Sequence, residues 1–549
     1  MTDILLIQPP IRDFYITSKR TVPYGLACIA ASLIDGGFSV EIFDSLATSR
    51  SRILDLPPEM SYLTEYYGKS DRSPFALFHA FKHYGYSFEH LGKKIRETSA
   101  FIVGISSLFT AYSNEAIKIA EIVKRFHPDC KVVLGGHHPT AMPDKIMESK
   151  AVDFVLRGEG EVSMPMLAQV IKKGEDPEGI PGIVFRSKDG TNKIGAPAII
   201  DDLDAYPLPA VRLLNRSFYK RGTRACAVVV ASRGCPLNCT YCSIGSSPFI
   251  RYRRRSVEAV VREIEEAIDR YNAGFIDFED ENLSLDKDWF MRFLNEIKKR
   301  FSGAGIEFRA MNGLFPPSLD EEVIQAMKEA GFKTLNLSLG SICEDQLRKF
   351  RRPDVRNAFE RAVICAEKNG LNAVGYVIAG APGQRAQDSV CDLLYLAGKR
   401  ILAGVSVFYP VPGSDDFELS EKLGILPANF ALMRSSAIPV SHTTSRREAV
   451  TILRLGRILN FMKLLLDRGK AIPVPSPFEP ALMKGLTDKQ EIGTLLLRWF
   501  LHDGKIRGVC PDETVFEHKV SRRLTNQFIE GLKRIEVRGT GSIFCFPRL

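Results

Sequence analysis

"ASRGCPLNCTYCSIG", residues 231–245, places Cys235, Cys239 and Cys242 within eight positions. The strand-like run "ACAVVVASRG" leads into it, and strand-like and helix-like segments alternate again behind it. Three thiols cannot all pair with one another. Eleven cysteines, an odd number thinly spread elsewhere, do not make a secreted disulfide framework. Structural zinc takes four ligands, usually from two separated pairs, and no second CxxC or HxxxH lies within the usual distance, so zinc would have to recruit remote residues. Iron–sulfur clusters are held by thiolates, and a four-iron cube held by only three leaves one iron open.

Behind the cysteines, "AGFIDFED", "IEFRAMN", "TLNLSLGS", "NAVGYVIAGAPG" and "AGVSVFYPVPG" read as strands, with helices such as "VEAVVREIEEAIDRY" and "SLDEEVIQAMKEAG" between them. Together with the strand before the cysteines they make six βα units. This predicts a partial (β/α)6 TIM-like barrel over 225–425, its chemistry at the carboxyl ends of the strands. Upstream, "DILLIQPP", "FSVEIFD", "AFIVGISS", "KVVLGGHHP" and "VDFVLRGEGE" alternate with helices, which predicts a Rossmann-like, doubly wound parallel sheet over 1–185. Ligands of such sheets sit beyond the carboxyl ends of the strands. Here those ends are Gln8-Pro9-Pro10, Ser106-Ser107, Gly135-Gly136-His137 and Gly158-Glu159-Gly160. Residues 50–95 read as an aromatic, irregular insertion, Ser113 as a helix cap, and 186–224 as a linker. Residues 426–549 read as a mainly helical capping and substrate domain with a more extended tail. Cys510 and Cys545, without partners in sequence, read there as inert thiols.

The 549 residues have the composition of an ordinary soluble protein of several domains. A net charge of +9 permits anionic ligands without demanding nucleic acid. The basic run Arg251, Arg253, Arg254, Arg255 has no interleaved aromatics of the nucleic-acid kind; it reads equally as an anion contact or a solvated helix start. No run of eighteen apolar residues predicts a membrane span. The apolar start is too short for a signal peptide, so a reducing cytoplasm is the expected location.

The spacing Cys235-x3-Cys239-x2-Cys242, on a loop after the first barrel strand, resembles the radical S-adenosylmethionine (SAM) superfamily. The upstream segments, with Gly-Glu-Gly-Glu at 158–161 and "RYRRRSVEAVVREIE" after the cysteines, resemble the cobalamin-binding domain that precedes some of these barrels. The likeness spans roughly residues 1 to 420. It implies a [4Fe-4S] cluster on Cys235, Cys239 and Cys242 whose open iron binds SAM, and a 5′-deoxyadenosyl radical that abstracts hydrogen under anaerobic conditions. Tyr241, Glu279, Asp280, Asn282, Arg309 and Ser341 are the implied SAM contacts, with Asn312 beside them. Ser106, Ser107, Thr110, Gly135, Gly136, His137, Gly158 and Glu159 are the implied cobalamin contacts. Two departures stand out: Gly340 occupies the position where the family commonly has glutamate, and no Asp-x-His-x-x-Gly supplies a histidine to cobalt. The implied activity is a radical C-methyltransferase moving a methyl group from SAM, via methylcobalamin, to an unactivated carbon. Alternatives are non-methylating cyclisation or oxidation of a tetrapyrrole or lipid with the same cofactors, or a cofactor-binding sensor without turnover. A flavodoxin or ferredoxin is the implied electron donor, and the substrate is left open among a small molecule, a lipid and a protein side chain.

Overall fold

The structure, a computed structural model, describes residues 2–16, 21–215, 217–247, 249–437 and 439–535. The extended tail expected past residue 535, with Cys545, lies outside the described residues.

Strands β1 (Ile4–Gln8), β2 (Val40–Asp44), β3 (Ile102–Ser106), β4 (Lys131–Gly135) and β5 (Phe154–Leu156) pair in parallel in the order 2-1-3-4-5. All five residues of β1 are buried. Ile4 and Leu6 pack among residues of the helices Tyr24–Asp35 and Gly160–Lys173. Leu5 and Ile7 pack against Phe88–Glu97 and Ser113–Phe126 on the other face. A strand covered on both faces needs a continuous apolar run, which is why "ILLIQ" does not alternate. With this order the strand direction of growth switches between β1 and β3, and a ligand crevice opens beyond their carboxyl ends. Two antiparallel strands, β6 (Ile183–Arg186) and β7 (Asn192–Ile194), extend the far edge. The segment expected as a linker therefore contributes a strand to the first sheet. Ser113 is the first residue of its helix rather than the cap, a place taken by Tyr112.

Within 50–95, short strands at Ser51–Ile53 and Lys82–Tyr84 form an antiparallel sheet with Ile11–Asp13. Its aromatic content is explained by a core of Phe14, Met60, Leu63, Tyr67 and Phe81, closed by Ala449 and Val450 of the C-terminal region.

All six βα units downstream are present. Strands β8 (Arg224–Val229), β9 (Ala273–Phe278) and β10 (Glu307–Ala310) form one parallel sheet; β11 (Thr334–Gly340), β12 (Asn372–Ala379) and β13 (Leu402–Val407) form another. Isolated parallel bridges, Phe308 with Phe332 and Leu314 with Leu337, connect the two. Helices follow the successive strands, and Phe278, Phe308 and Phe332 stack in the core between them.

The C-terminal region is mainly helical, with Arg446–Asp467, Lys489–Asp503 and Arg522–Lys533, plus a small hairpin of Arg507–Val509 and Val515–Glu517. The first helix starts on a capping box of Ser445 and Glu448. Its Asn460 amide donates to the Ala403 carbonyl and accepts from the Ala403 N–H, both at 2.8 Å. A side chain thus replaces a neighbouring strand at the exposed edge of β13.

Candidate active site

The cysteine loop is gathered at its neck by a two-stranded antiparallel ladder in which Ser232 faces Arg254 and Arg233 faces Arg253. Inside the neck, Gly234 has φ +85°, and a Cβ there would lie 2.3 Å from the Arg251 carbonyl oxygen, so no larger residue fits. Thr240 fastens the loop to the far side of the second sheet: its hydroxyl lies 3.2 Å from both the Lys349 carbonyl and the Asp416 carboxylate, and its carbonyl accepts from Asp416 N–H at 2.9 Å. Cys239 is buried, and Cys235 and Cys242 are half-buried. Burial pushes the thiols of Cys235 and Cys242 up, and the neighbouring thiols push them further. Among the described residues, no three His, Cys, Asp or Glu groups converge on one metal ion.

At the end of β9 the acidic run divides its labour. Asp280 is buried and accepts from Ala231 N–H (3.1 Å), Ser232 N–H (2.5 Å) and Ser232 Oγ (2.6 Å). Burial holds its carboxyl up at about 7. Asp280 therefore shapes the turn into the cysteine loop instead of facing a ligand. Glu281, overlooked in the sequence reading, takes the outward position: it accepts from Gly234 N–H at 3.2 Å, and its charge helps raise Cys235 and Cys242. Glu279 is half-buried at the same strand end, and its carbonyl accepts from the Asn312 amide at 2.7 Å. Ser341 is likewise turned inward, donating to the buried Asp392, whose carboxyl also accepts from Ile342 N–H at 2.7 Å.

Tyr241 packs edge-on against Phe350, centroids 4.9 Å apart, and its hydroxyl accepts from Arg352 at 2.9 Å. Three atoms near these strand ends, Asn282 Oδ1, Arg309 Nε and Arg352 Nε, are shielded from solvent without a hydrogen-bond partner. Such atoms call for a polar ligand, and SAM offers an ammonium, a carboxylate and ribose hydroxyls.

The first sheet presents a second set of groups. Gly136 follows β4 at φ +118°, and a Cβ there would lie 2.6 Å from the Ser107 carbonyl oxygen, so the loops after β3 and β4 touch backbone to backbone. Behind them, Ser107 Oγ and His138 Nε2 are buried without partners, while His138 Nδ1 lies 3.1 Å from Thr110 Oγ1. His137 is exposed, and desolvation by the surrounding protein lowers its pKa. Leu108 and Phe109 are exposed at 47% and 56% beside it. Small backbone, orphaned polar atoms and uncovered apolar side chains at the carboxyl ends of β3 and β4, with Ser106 and Gly135 closing the strands, suit a large flat ligand with a polar tail.

Gly158 and Glu159 do a different job from the one expected. A Cβ at Gly158 would lie 2.2 Å from the Ala198 carbonyl, so that glycine admits a crossing chain segment. Glu159 pairs with Arg253 at 2.8 Å and with Arg233 at 3.1 Å, and Glu161 pairs with Arg233 at 2.6 Å. Both arginines sit on the neck of the cysteine loop. Two more of the basic run are paired, Arg254 with Asp286 and Arg255 with Glu263, while the Arg251 side chain is exposed.

A family model of the radical SAM superfamily matches residues 229–393, and one of the B12 binding domain matches 79–168. The chain is 29% identical over 330 residues to the uncharacterized methyltransferase PH0819 of Pyrococcus horikoshii, covering 60% of this chain and 71% of that protein. It is 28% identical over 353 residues to the anaerobic magnesium-protoporphyrin IX monomethyl ester cyclase of Rubrivivax gelatinosus, covering 62% of each. The radical SAM methyltransferase TsrM of Kitasatospora setae, solved with cobalamin and a [4Fe-4S] cluster bound, superposes with a TM-score of 0.58 at 17% identity, covering 79% of this chain and 82% of that one; this likeness concerns the fold. The loop of three cysteines, just past β8, lies within the stretch that matches the radical SAM superfamily. In this chain a stretch matching the B12 binding domain thus precedes one matching the radical SAM superfamily, and the cofactors of such a pair are a [4Fe-4S] cluster, SAM and cobalamin.

Proposed function

We propose that the chain is a cobalamin-dependent radical SAM methyltransferase acting on an unactivated carbon. One observation carries the reading: the neck of the cysteine loop is ion-paired, through Arg233 and Arg253, to Glu159 and Glu161 at the carboxyl edge of the first sheet. Two cofactor sites held edge to edge suit a substrate that meets both. Bound there, the cluster with SAM supplies a hydrogen-abstracting radical and cobalamin supplies the methyl group. The chain's own residues bind and orient. Cys235, Cys239 and Cys242 hold the cluster. Glu281 and Asn282 face the SAM ammonium, with Glu279 and Arg309 beside them, and Tyr241 packs near the adenine. Ser106, Ser107, Thr110, Gly135, Gly136 and His137 line the corrin and its tail.

In this reading the two parallel sheets form one open (β/α)6 barrel over 225–425. The first domain reaches past residue 194, where β7 ends, and the helical region from 426 caps the barrel and selects the substrate. A low-potential flavodoxin or ferredoxin supplies the electron, and the enzyme works in the cytoplasm; no helix among the described residues is long and apolar enough to cross a membrane. A second reading, cyclisation with the same cofactors, draws on the likeness to the Rubrivivax cyclase. Anaerobic reconstitution tests the cofactor assignment. The reading expects about four irons and one cobalamin per chain, and deoxyadenosine formed from SAM under dithionite. Iron lost from the Cys239→Ala variant with cobalamin retained supports two separate sites; full iron content in that variant sinks the cluster assignment.

A further inference from the structure

The glutamate that the family commonly places at the end of this strand is Gly340 here, and the structure shows what has taken its space. Gly340 has φ +81°, and a Cβ built on it would lie 3.3 Å from both Cδ and Nε of Arg352. Nη2 of Arg352 donates to the Ser338 carbonyl (2.7 Å) and Oγ (2.9 Å). Its Nη1 donates to the Tyr241 hydroxyl (2.9 Å) and comes within 4.0 Å of Cys239 Sγ. The guanidinium also lies 5.7 Å from the centre of the Phe315 ring. None of these partners is a carboxylate, and among the described residues Arg352 makes no ion pair. The adjacent Arg351, by contrast, pairs with Asp415 at 2.5 Å, and Arg348 pairs with Asp345.

We infer that Arg352 sets the reduction potential of the cluster held by Cys235, Cys239 and Cys242, as an uncompensated cation that glycine at 340 makes possible. The inference rests on the reading of those cysteines as cluster ligands. One-electron reduction by dithionite adds one negative charge to the cluster, with no bond made or broken. A fixed positive charge beside a ligand sulfur, in a half-buried site of low dielectric, favours the reduced form and raises the potential. A carboxylate at 340 would lie against the guanidinium and cancel this field.

The test is an EPR-monitored dithionite titration of the fully loaded chain without SAM, comparing the wild type with Arg352→Gln, Arg352→Lys and Ser338→Asp. Arg352→Gln removes the charge; Ser338→Asp keeps it but adds a carboxylate within its reach. Both should show about tenfold less reduced cluster at a given potential, a downward shift of about 59 mV for a one-electron couple. Arg352→Lys should stay close to the wild type. Iron content and the absorbance of the oxidised cluster are measured on each protein, so failure of the wild type to load a cluster counts against the cluster assignment and not against this inference. If Arg352→Gln does not load, Ser338→Asp decides alone. Unshifted potentials overturn the inference.

Discussion

At Gly136 one hydrogen atom separates a working turn from a clash. The residue has φ +118°, and the Ser107 carbonyl leaves 2.6 Å for a Cβ. Backbone at this positive φ with an extended ψ is essentially reserved for glycine and costs another residue about 1–3 kcal/mol, and the contact adds to that. Gly136→Ala should therefore shift the loops after β3 and β4 and lower cobalamin occupancy several-fold by absorbance, with iron content unchanged; an equal loss of both cofactors would place the damage elsewhere. The three cysteines were legible in the sequence because their chemistry is local, three ligands on one loop. The acidic run "FEDEN" was legible as a place but not as an assignment. Which of Glu279, Asp280 and Glu281 faces outward depends on the turn that returns the chain to Ala231 and Ser232, and Asp280 is used up in building that turn. The hydroxyl bond of Ser341 was not legible for the same reason: its partner, Asp392, is 51 positions away.

Among elements, the joint between the first sheet and the loop neck matters most for coupling the two sites. Glu161 sits in the first turn of the helix Gly160–Lys173, and Arg233 reaches it from the neck ladder. Glu161→Gln keeps the shape and removes the charge. It should leave both cofactors bound but raise the ratio of deoxyadenosine formed to product methylated, by about 2–13-fold if the pair contributes about 0.5–1.5 kcal/mol to alignment. An unchanged ratio would make the pair a stabilising contact only. A second joint is pH-sensitive. His518 in the C-terminal hairpin region lies 3.0 Å from Asp71 of the insertion, and Asp71 also accepts from Val509 N–H. Burial pulls the His518 pKa down to about 4 from 6.5. Its folded state resists protonation, so stability present above pH 6.5 is lost as pH falls from 6.5 toward 4, by up to about 1.4 kcal/mol per pH unit. Thermal unfolding across that range should show the slope, and His518→Gln should flatten it. Neither joint could be read from sequence: Glu159 and Arg253 stand 94 residues apart, and His518 and Asp71 stand 447 apart. The βα alternation could be read, because buried parallel strands announce themselves as apolar runs between amphipathic helices.

Across the whole molecule, two parallel α/β units meet at the carboxyl ends of their strands, and a helical region closes over both. Its helix Arg446–Asp467 seals the edge of β13 through Asn460, while Ala449 and Val450 of the same helix complete the core of the insertion. The helical region thus touches both units. The most direct measurement of the central claim follows the methyl group. Loaded enzyme is incubated anaerobically with dithionite, trideuteromethyl-labelled SAM and a deproteinised extract of cells that make the protein, and the mixture is compared by mass spectrometry with an enzyme-free control. A radical methyltransferase yields a compound that gains one intact trideuteromethyl group on carbon as deoxyadenosine accumulates. A product altered in mass without the label, formed together with deoxyadenosine, would contradict methyl transfer and support the cyclase-like chemistry.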